Sequence, residues 1–206
     1  SDVCSSDLGF FVLFLAGLSW RIIGGTVVAG LAAAPFVWSL LHDYQRQRIL
    51  TLLEPARDPL GAGYHTIQST IAMGSGGWTG KGWLTGTQTH LDFIPERTTD
   101  FIFAVYAEEF GFAGSLVFLA LLLLVIARGL YIAANATTLF GRLLAGAITL
   151  TFFTYAVVNM GMVSGILPVV GIPLPLISYG GTALVSICLG FGILMSVATH
   201  KRLIQT

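Results

Sequence analysis

Three carboxylates stand at the head of one of the most apolar stretches in the chain. They are Asp100, Glu108 and Glu109 in the run "PERTTDFIFAVYAEEFGFAG", residues 95–114, which opens with Glu96 and Arg97 and continues directly into "SLVFLALLLLVIA". A carboxylate facing lipid is expensive, and ionisable groups within a membrane segment are functional candidates by default. Partly desolvated, such a group suits a general base, which takes a proton from a nucleophile as it attacks. The plainer reading is a helix start, with Thr98 or Thr99 as N-cap and Asp100 in the first turn, where the helix dipole favours an anion. Glu108 and Glu109 resist that reading. At 1.5 Å per residue they lie about 12 Å further along, deeper than a cap requires. At 100° per residue Asp100, Ala104, Ala107, Glu108 and Gly111 share one broad face, whose small residues admit another helix or a substrate.

Other chemistries are less well served. His42, His65, His90 and His200 are scattered, with no His-x-x-x-His and no cysteine pair, which argues against zinc. A hard cation, Mg²⁺ or Mn²⁺, held by carboxylates and a substrate phosphate stays open, although no residue pattern requires a cofactor. The stretch "GSGGWTGKGWLTGT", residues 74–87, departs from a phosphate loop: Ser75 occupies the first glycine position and Gly82 follows Lys81. What remains is a flexible glycine-rich turn carrying Lys81 between Trp78 and Trp83, and tryptophan favours the membrane–water interface.

The elements that must position these groups follow from composition. Of 206 residues, 55% are hydrophobic and 10% charged, with mean hydropathy +0.83. Soluble domains carry about 25% charged residues, so this chain lacks the side chains for a water-facing surface. Net charge is zero and no basic block suggests nucleic acid. The expectation is an all-α, polytopic transmembrane helix bundle with one long extracytoplasmic loop. The opening octapeptide "SDVCSSDL" clashes with the apolar run behind it and reads as a non-native segment, leaving residues 9–206 as a partial membrane domain. Within it, residues 9–18 read as part of a helix, and complete spans are predicted at about 22–40, 101–127, 143–163 and 177–199, each near the 20 residues a bilayer needs. Residues 42–99 form the loop, in which "HDYQRQRILTLLEP" predicts a short interfacial helix.

Orientation follows from the short connections. Arg21, Arg128, Arg142, Lys201 and Arg202 alternate onto one face, whereas residues 164–176 on the other carry no charge. The cytoplasm is therefore predicted to hold residues 19–21, 128–142 and the C-terminus, with Asp100 at the outer end of its helix. Gly161-x-x-x-Gly165 predicts a close helix crossing, and "PLPLISYGG" predicts a helix starting near Ser178. That stretch reads as helix packing or as the wall of an outer cavity. Cys188 reads as a small packing residue.

Taken together, "PERTTDFIFAVYAEEFGFAG", "NMGMVSGILPVVGIPLPLISYGG" and "HDYQRQRI" resemble the RodA/FtsW/SpoVE (SEDS) family of bacterial cell-wall proteins, nearest to its rod-shape branch, RodA. The resemblance extends from about residue 9 to the end. It implies the C-terminal half of a roughly ten-helix bundle in the bacterial cytoplasmic membrane. It also implies a peptidoglycan glycosyltransferase that polymerises lipid II outside that membrane, working beside a class B penicillin-binding transpeptidase and other elongation-complex membrane proteins. Asp100 matches the family's essential aspartate in "TDFIFA"; Arg48 and Lys81 match basic positions of the outer loop, as pyrophosphate contacts. Arg97 joins them as a cation for the leaving group, and Glu108 is a further substrate-site candidate. Half a cavity is expected to be inactive alone.

Two further readings compete. A lipid II flippase calls for charge along a midplane path, and residues 143–199 have none. A non-catalytic scaffold for the transpeptidase makes Asp100 dispensable.

Overall fold

The computed structural model describes Gly9, Phe11, Val12 and residues 20–40, 45–46, 50–51, 62–86 and 98–200. All regular structure among these residues is helical, as the composition predicts. Among the described residues run five helices: α1 Trp20–Leu40, α2 Ala62–Ser75, α3 Ile102–Ala134, α4 Leu139–Val163 and α5 Gly181–His200. Three of them, α3, α4 and α5, are long and apolar enough to cross a membrane. The N-terminal partial helix and the interfacial helix predicted near 42–54 lie mostly outside the described residues, although Gln45, Arg46, Leu50 and Thr51 are helical.

The α3–α4 pair forms the centre. Phe118, Leu122, Phe152, Ala156 and Leu174 make one buried cluster, and Ala133, Ala145 and Leu194 make another toward the opposite end, where α5 joins. Close approach depends on small residues. A Cβ on Gly129 would run into the Thr149 side chain, and Ala145 and Ala147 are fully buried. The Phe152 and Phe191 rings, 5.4 Å apart, tie α4 to α5. α4 starts earlier than the hydropathy run does. Thr138 caps it, its hydroxyl accepting from Gly141 N at 3.1 Å, so the helix takes in Leu139 and Phe140.

Residues 42–99, read from sequence as a loop, contain α2, whose serines, threonines and glycines hide its helical pattern. Its buried positions include Ser69 and Ala72, three residues apart and hence on one face. That face packs on Phe101, Ala104, Met162 and Val163, while Ser69 Oγ donates to Val163 O at 2.9 Å. The small-residue face of α3 is thus covered by this chain's own helix.

The largest departure from expectation is in α3. Gly111 has φ 68° and ψ −163°, which breaks the helix. In an unbroken helix Phe112 and Ala113 would donate to the carbonyls of Glu108 and Glu109. Here Phe112 N donates to Gly77 O at 2.8 Å and Ala113 N to Trp78 O at 3.0 Å, while the freed carbonyls accept from Lys81 N and Gly82 N, each at 3.0 Å. The glycine-rich turn is therefore inserted into the break and satisfies it with four backbone bonds. Past the break, residues 112–134 run about 34 Å, enough for a hydrocarbon core of about 30 Å. Glu108 and Glu109 precede that rod, so the helix can cross a bilayer without carrying them.

Candidate functional site

Asp100 sits just before α3, in a turn, and is half-buried. The threonine N-cap predicted for this helix is absent: the N-cap is Phe101, with no side-chain cap hydrogen bond. The reason lies in where the preceding carbonyls go. Thr98 O accepts from Tyr179 N at 2.9 Å, Thr99 O from Ser178 Oγ at 2.6 Å, and Asp100 O from Asn159 Nδ2 at 2.8 Å. Three successive carbonyls are held by tertiary partners, so the strand of backbone before α3 is fixed by α4 and the 164–180 segment.

That segment is irregular by necessity. α4 ends in a Schellman motif: Gly165, at φ 75°, donates to Met162 O at 3.1 Å, and Ile166 N donates to Gly161 O at 2.9 Å. Gly165 therefore reverses the chain and lies close against α2, where a Cβ would meet the Thr66 and Thr70 methyls at 3.3 and 3.5 Å, while Gly161 packs on Leu167. The final helix begins at Gly181, three residues later than predicted. Ser178 is engaged elsewhere, its Oγ accepting from Leu174 N at 2.7 Å as it donates to Thr99. Leu176 has φ 70°, a conformation rare for a non-glycine residue and found preferentially at functional sites. Gly171, at φ 76°, faces the carboxylate, since a Cβ placed there would sit 3.2 Å from Asp100 Oδ2.

Glu108 is fully buried and Glu109 nearly so. Lys81 Nζ lies 2.8 Å from Glu108 Oε1, with the Lys81 side chain 27% exposed. Two residues that the sequence offered to a substrate thus meet each other. Trp78 and Trp83 are exposed and pack edgewise or tilted on Phe112 and Phe110, with centroids 5.2 and 5.7 Å apart. Arg48 and Arg97 lie outside the described residues. Cys188 is exposed on α5.

Removing one partner of a buried ion pair strands the other charge, at about 3–5 kcal/mol when both are dry. Water reaches Lys81, so Lys81→Met is expected to lower stability by about 2–3 kcal/mol. The Lys81→Met/Glu108→Gln double variant should recover most of it, as read from thermal midpoints in detergent.

Asn159 was not singled out from sequence. It lies in α4, fully buried, and its Nδ2 donates to both Asp100 O at 2.8 Å and Ile172 O at 2.7 Å. Its Oδ1 is buried and accepts no hydrogen bond from the described residues, an unpaired state worth about 1–3 kcal/mol of destabilisation. The available signal was a lone amide in an uncharged span, where polar groups are costly. Among the described residues no three His, Cys, Asp or Glu side chains converge. A cation beside Asp100 would rest on that carboxylate and on substrate oxygens.

The arrangement was compared with known proteins. A profile of the cell cycle protein family FtsW/RodA/SpoVE matches residues 3–203, beginning inside the octapeptide set aside above. The peptidoglycan glycosyltransferase MrdB of Escherichia coli K12 is 63% identical over 198 residues, covering 96% of this chain and 54% of that protein. The peptidoglycan glycosyltransferase RodA of Treponema pallidum is 45% identical, covering 79% of this chain and 37% of that one. The chain spans about half the length of the curated relatives it matches. A solved structure described as "Structural coordination of polymerization and crosslinking by a peptidoglycan synthase complex" superposes with TM-score 0.78 at 32% identity, covering 99% of this chain and 56% of that one. The Thermus thermophilus rod shape determining protein RodA, solved as a mutant, gives 0.50 at 35% identity over 62% of this chain. With spans, break and clamped aspartate in place, the chain belongs to the FtsW/RodA/SpoVE family of multi-pass membrane proteins.

Proposed function

We propose that the protein carrying this chain is a peptidoglycan glycosyltransferase that polymerises lipid II into glycan strands for cell elongation, with Asp100 as its general base. The observation that carries the reading is the clamp on Asp100. The carboxylate stands at the end of an apolar helix, partly desolvated, and its backbone is fixed by Asn159, Ser178 and Tyr179. Fixed geometry is what a base needs, because proton transfer requires hydrogen-bond reach of the reacting hydroxyl.

In the reaction, the acceptor sugar hydroxyl gives its proton to Asp100 as its oxygen bonds to the anomeric carbon of the donor. The bond from that carbon to the lipid diphosphate breaks with its electron pair, and the lipid diphosphate departs. One displacement inverts the anomeric centre. Arg48 and Arg97 are proposed as cations for the departing diphosphate, where charge-assisted bonds are strongest. Lys81 and Glu108, already paired, are proposed to shape the wall of the site through the inserted turn. A divalent cation is proposed only as a companion of the donor diphosphate, and no step above runs through it.

Asp100 and the loop 42–99 are proposed to lie outside the bacterial inner membrane, and the α3–α4 turn and C-terminus inside. Arg128 and Arg142, which flank that turn, support this side as cytoplasmic. The partners proposed are lipid II, the growing glycan, a class B penicillin-binding transpeptidase and other elongation-complex membrane proteins. Similarity to a chain of a peptidoglycan synthase complex supports the transpeptidase.

The deciding experiment supplies lipid II to the purified full-length protein and compares Asp100 with Asp100→Asn. Loss of polymer by a folded variant supports the reading. Undiminished polymer overturns it, as would lipid II flipping in vesicles without any polymer. Gly171→Ala should act on the same step. The added methyl meets Asp100 Oδ2 at 3.2 Å, so the carboxylate must shift by a few tenths of an ångström. We expect turnover to fall about 10-fold, while the positive φ adds about 1 kcal/mol of strain. Single-turnover assays beside thermal midpoints will separate the two.

A further inference from the structure

We infer that Asn159 is a positioning residue for the reaction proposed above, holding Asp100 and the Gly171 turn at a fixed separation; the inference rests on that reading.

The side-chain amide of Asn159 has two N–H bonds, and each is given to a different backbone segment. One goes to Asp100 O at 2.8 Å, at the foot of α3, and the other to Ile172 O at 2.7 Å, next to Gly171. The carboxylate of Asp100 and the bare Cα of Gly171 meet across that bridge. A single planar group therefore sets the distance between the reacting carboxylate's backbone and the turn that walls it. The two carbonyl partners also fix which end of the amide is nitrogen, since an oxygen there would face two acceptors.

The orphaned oxygen strengthens the case. A buried polar side chain serving stability alone would be satisfied at both ends, whereas Asn159 leaves Oδ1 without a hydrogen bond from the described residues. Its geometry is dictated by the two carbonyls it spans. Violations of this kind gather where position matters more than local stability. The surroundings agree: Leu176 holds a left-handed conformation a few residues away, and Ser178 and Tyr179 clamp the two carbonyls preceding Asp100. Without Asn159, these outer clamps keep the strand in place but the amide link between Asp100 O and Ile172 O is lost.

The test uses the purified full-length protein with lipid II and reads kcat and KM separately on the folded fraction. Asn159→Leu should lower kcat about 10²-fold, as expected for a misplacement of about 1 Å, with KM for lipid II unchanged. Measured as a ratio to the parent at each pH, which cancels the titration of Asp100 itself, Asn159→Asp should keep most activity at low pH, where the neutral acid can still donate one bond, and lose it as pH rises and the group ionises against two carbonyls. A double-mutant cycle with Asp100→Glu, which keeps a carboxylate, decides between roles. A positioning residue gives non-additive losses, because a displaced base has little left to lose. Equal losses in both backgrounds, or a raised KM at unchanged kcat, overturn the inference and leave a merely structural amide. Should the Asp100→Glu protein show no turnover, the kcat–KM split and the pH profile of Asn159→Asp decide. If Asp100→Asn itself polymerises normally, the parent reading fails instead, which keeps the two outcomes distinct.

Discussion

If the proposed function holds, Asp100→Asn in the full-length protein is expected to reduce glycan polymerisation by about 10²–10⁴-fold, the span usually lost with a general base, while leaving the protein folded and in the membrane. The substitution is nearly isosteric, and three hydrogen bonds that secure this stretch run through main-chain oxygens. Thr98 O, Thr99 O and Asp100 O keep their partners whatever the side chain at position 100. The amide can still hydrogen-bond a sugar hydroxyl but cannot remove its proton. Lipid II affinity should therefore change little and the loss should fall on turnover. Polymer length on gels, with thermal midpoint and membrane level as folding controls, measures it. If turnover survives, the base is another group. If the protein disappears from the membrane, the carboxylate serves folding.

Gly111→Ala is expected to have the largest effect on stability, about 4 kcal/mol or more. Two costs combine. At φ 68° and ψ −163° the residue occupies a region open essentially to glycine alone, worth about 1–3 kcal/mol for any side chain. The methyl would also run into Gly80 N and lie 2.9 Å from backbone atoms of Thr79. Those atoms belong to main chain and cannot swing aside, and forced overpacking adds about 1–3 kcal/mol. Relief requires the turn to withdraw, which breaks bonds between Lys81 N and Glu108 O and between Gly82 N and Glu109 O. A sharp fall in thermal midpoint and membrane level is the expected result. A midpoint within a degree of the parent would show that α3 runs straight through this position.

The class of fold was legible because it rests on composition: a chain with so few charged residues has to bury itself in lipid. That Asp100 stands at the head of an apolar helix was legible too. The positions that eluded the sequence share one cause, which is that their conformation is set by distant partners. Thr98 and Thr99 look like caps, but Tyr179 and Ser178 claim their carbonyls. Helix α2 is interrupted by serines, threonines and glycines that blur its pattern, and Ser69 and Ala72 fit it against Ala104 and Val163. Gly111 looks like one more small residue on a helix face, and only the turn at Gly76–Gly82 shows why it must depart from helical geometry. Asn159 offered only a lone amide in an uncharged span, with nothing to say what it holds, since its two partners are fifty-nine and thirteen residues away.

The seam between the glycine-rich turn and α3 has a consequence for how the molecule tolerates change in length. Glycine-rich, polar, exposed stretches ordinarily absorb insertions without complaint. This one is stitched at both edges, residues 77 and 78 to 112 and 113 and residues 81 and 82 to 108 and 109. One residue gained or lost between the stitches would leave the opposite edge out of step, with two carbonyls of a lipid-embedded helix facing nothing. A segment with the look of a spacer is in fact a part cut to measure.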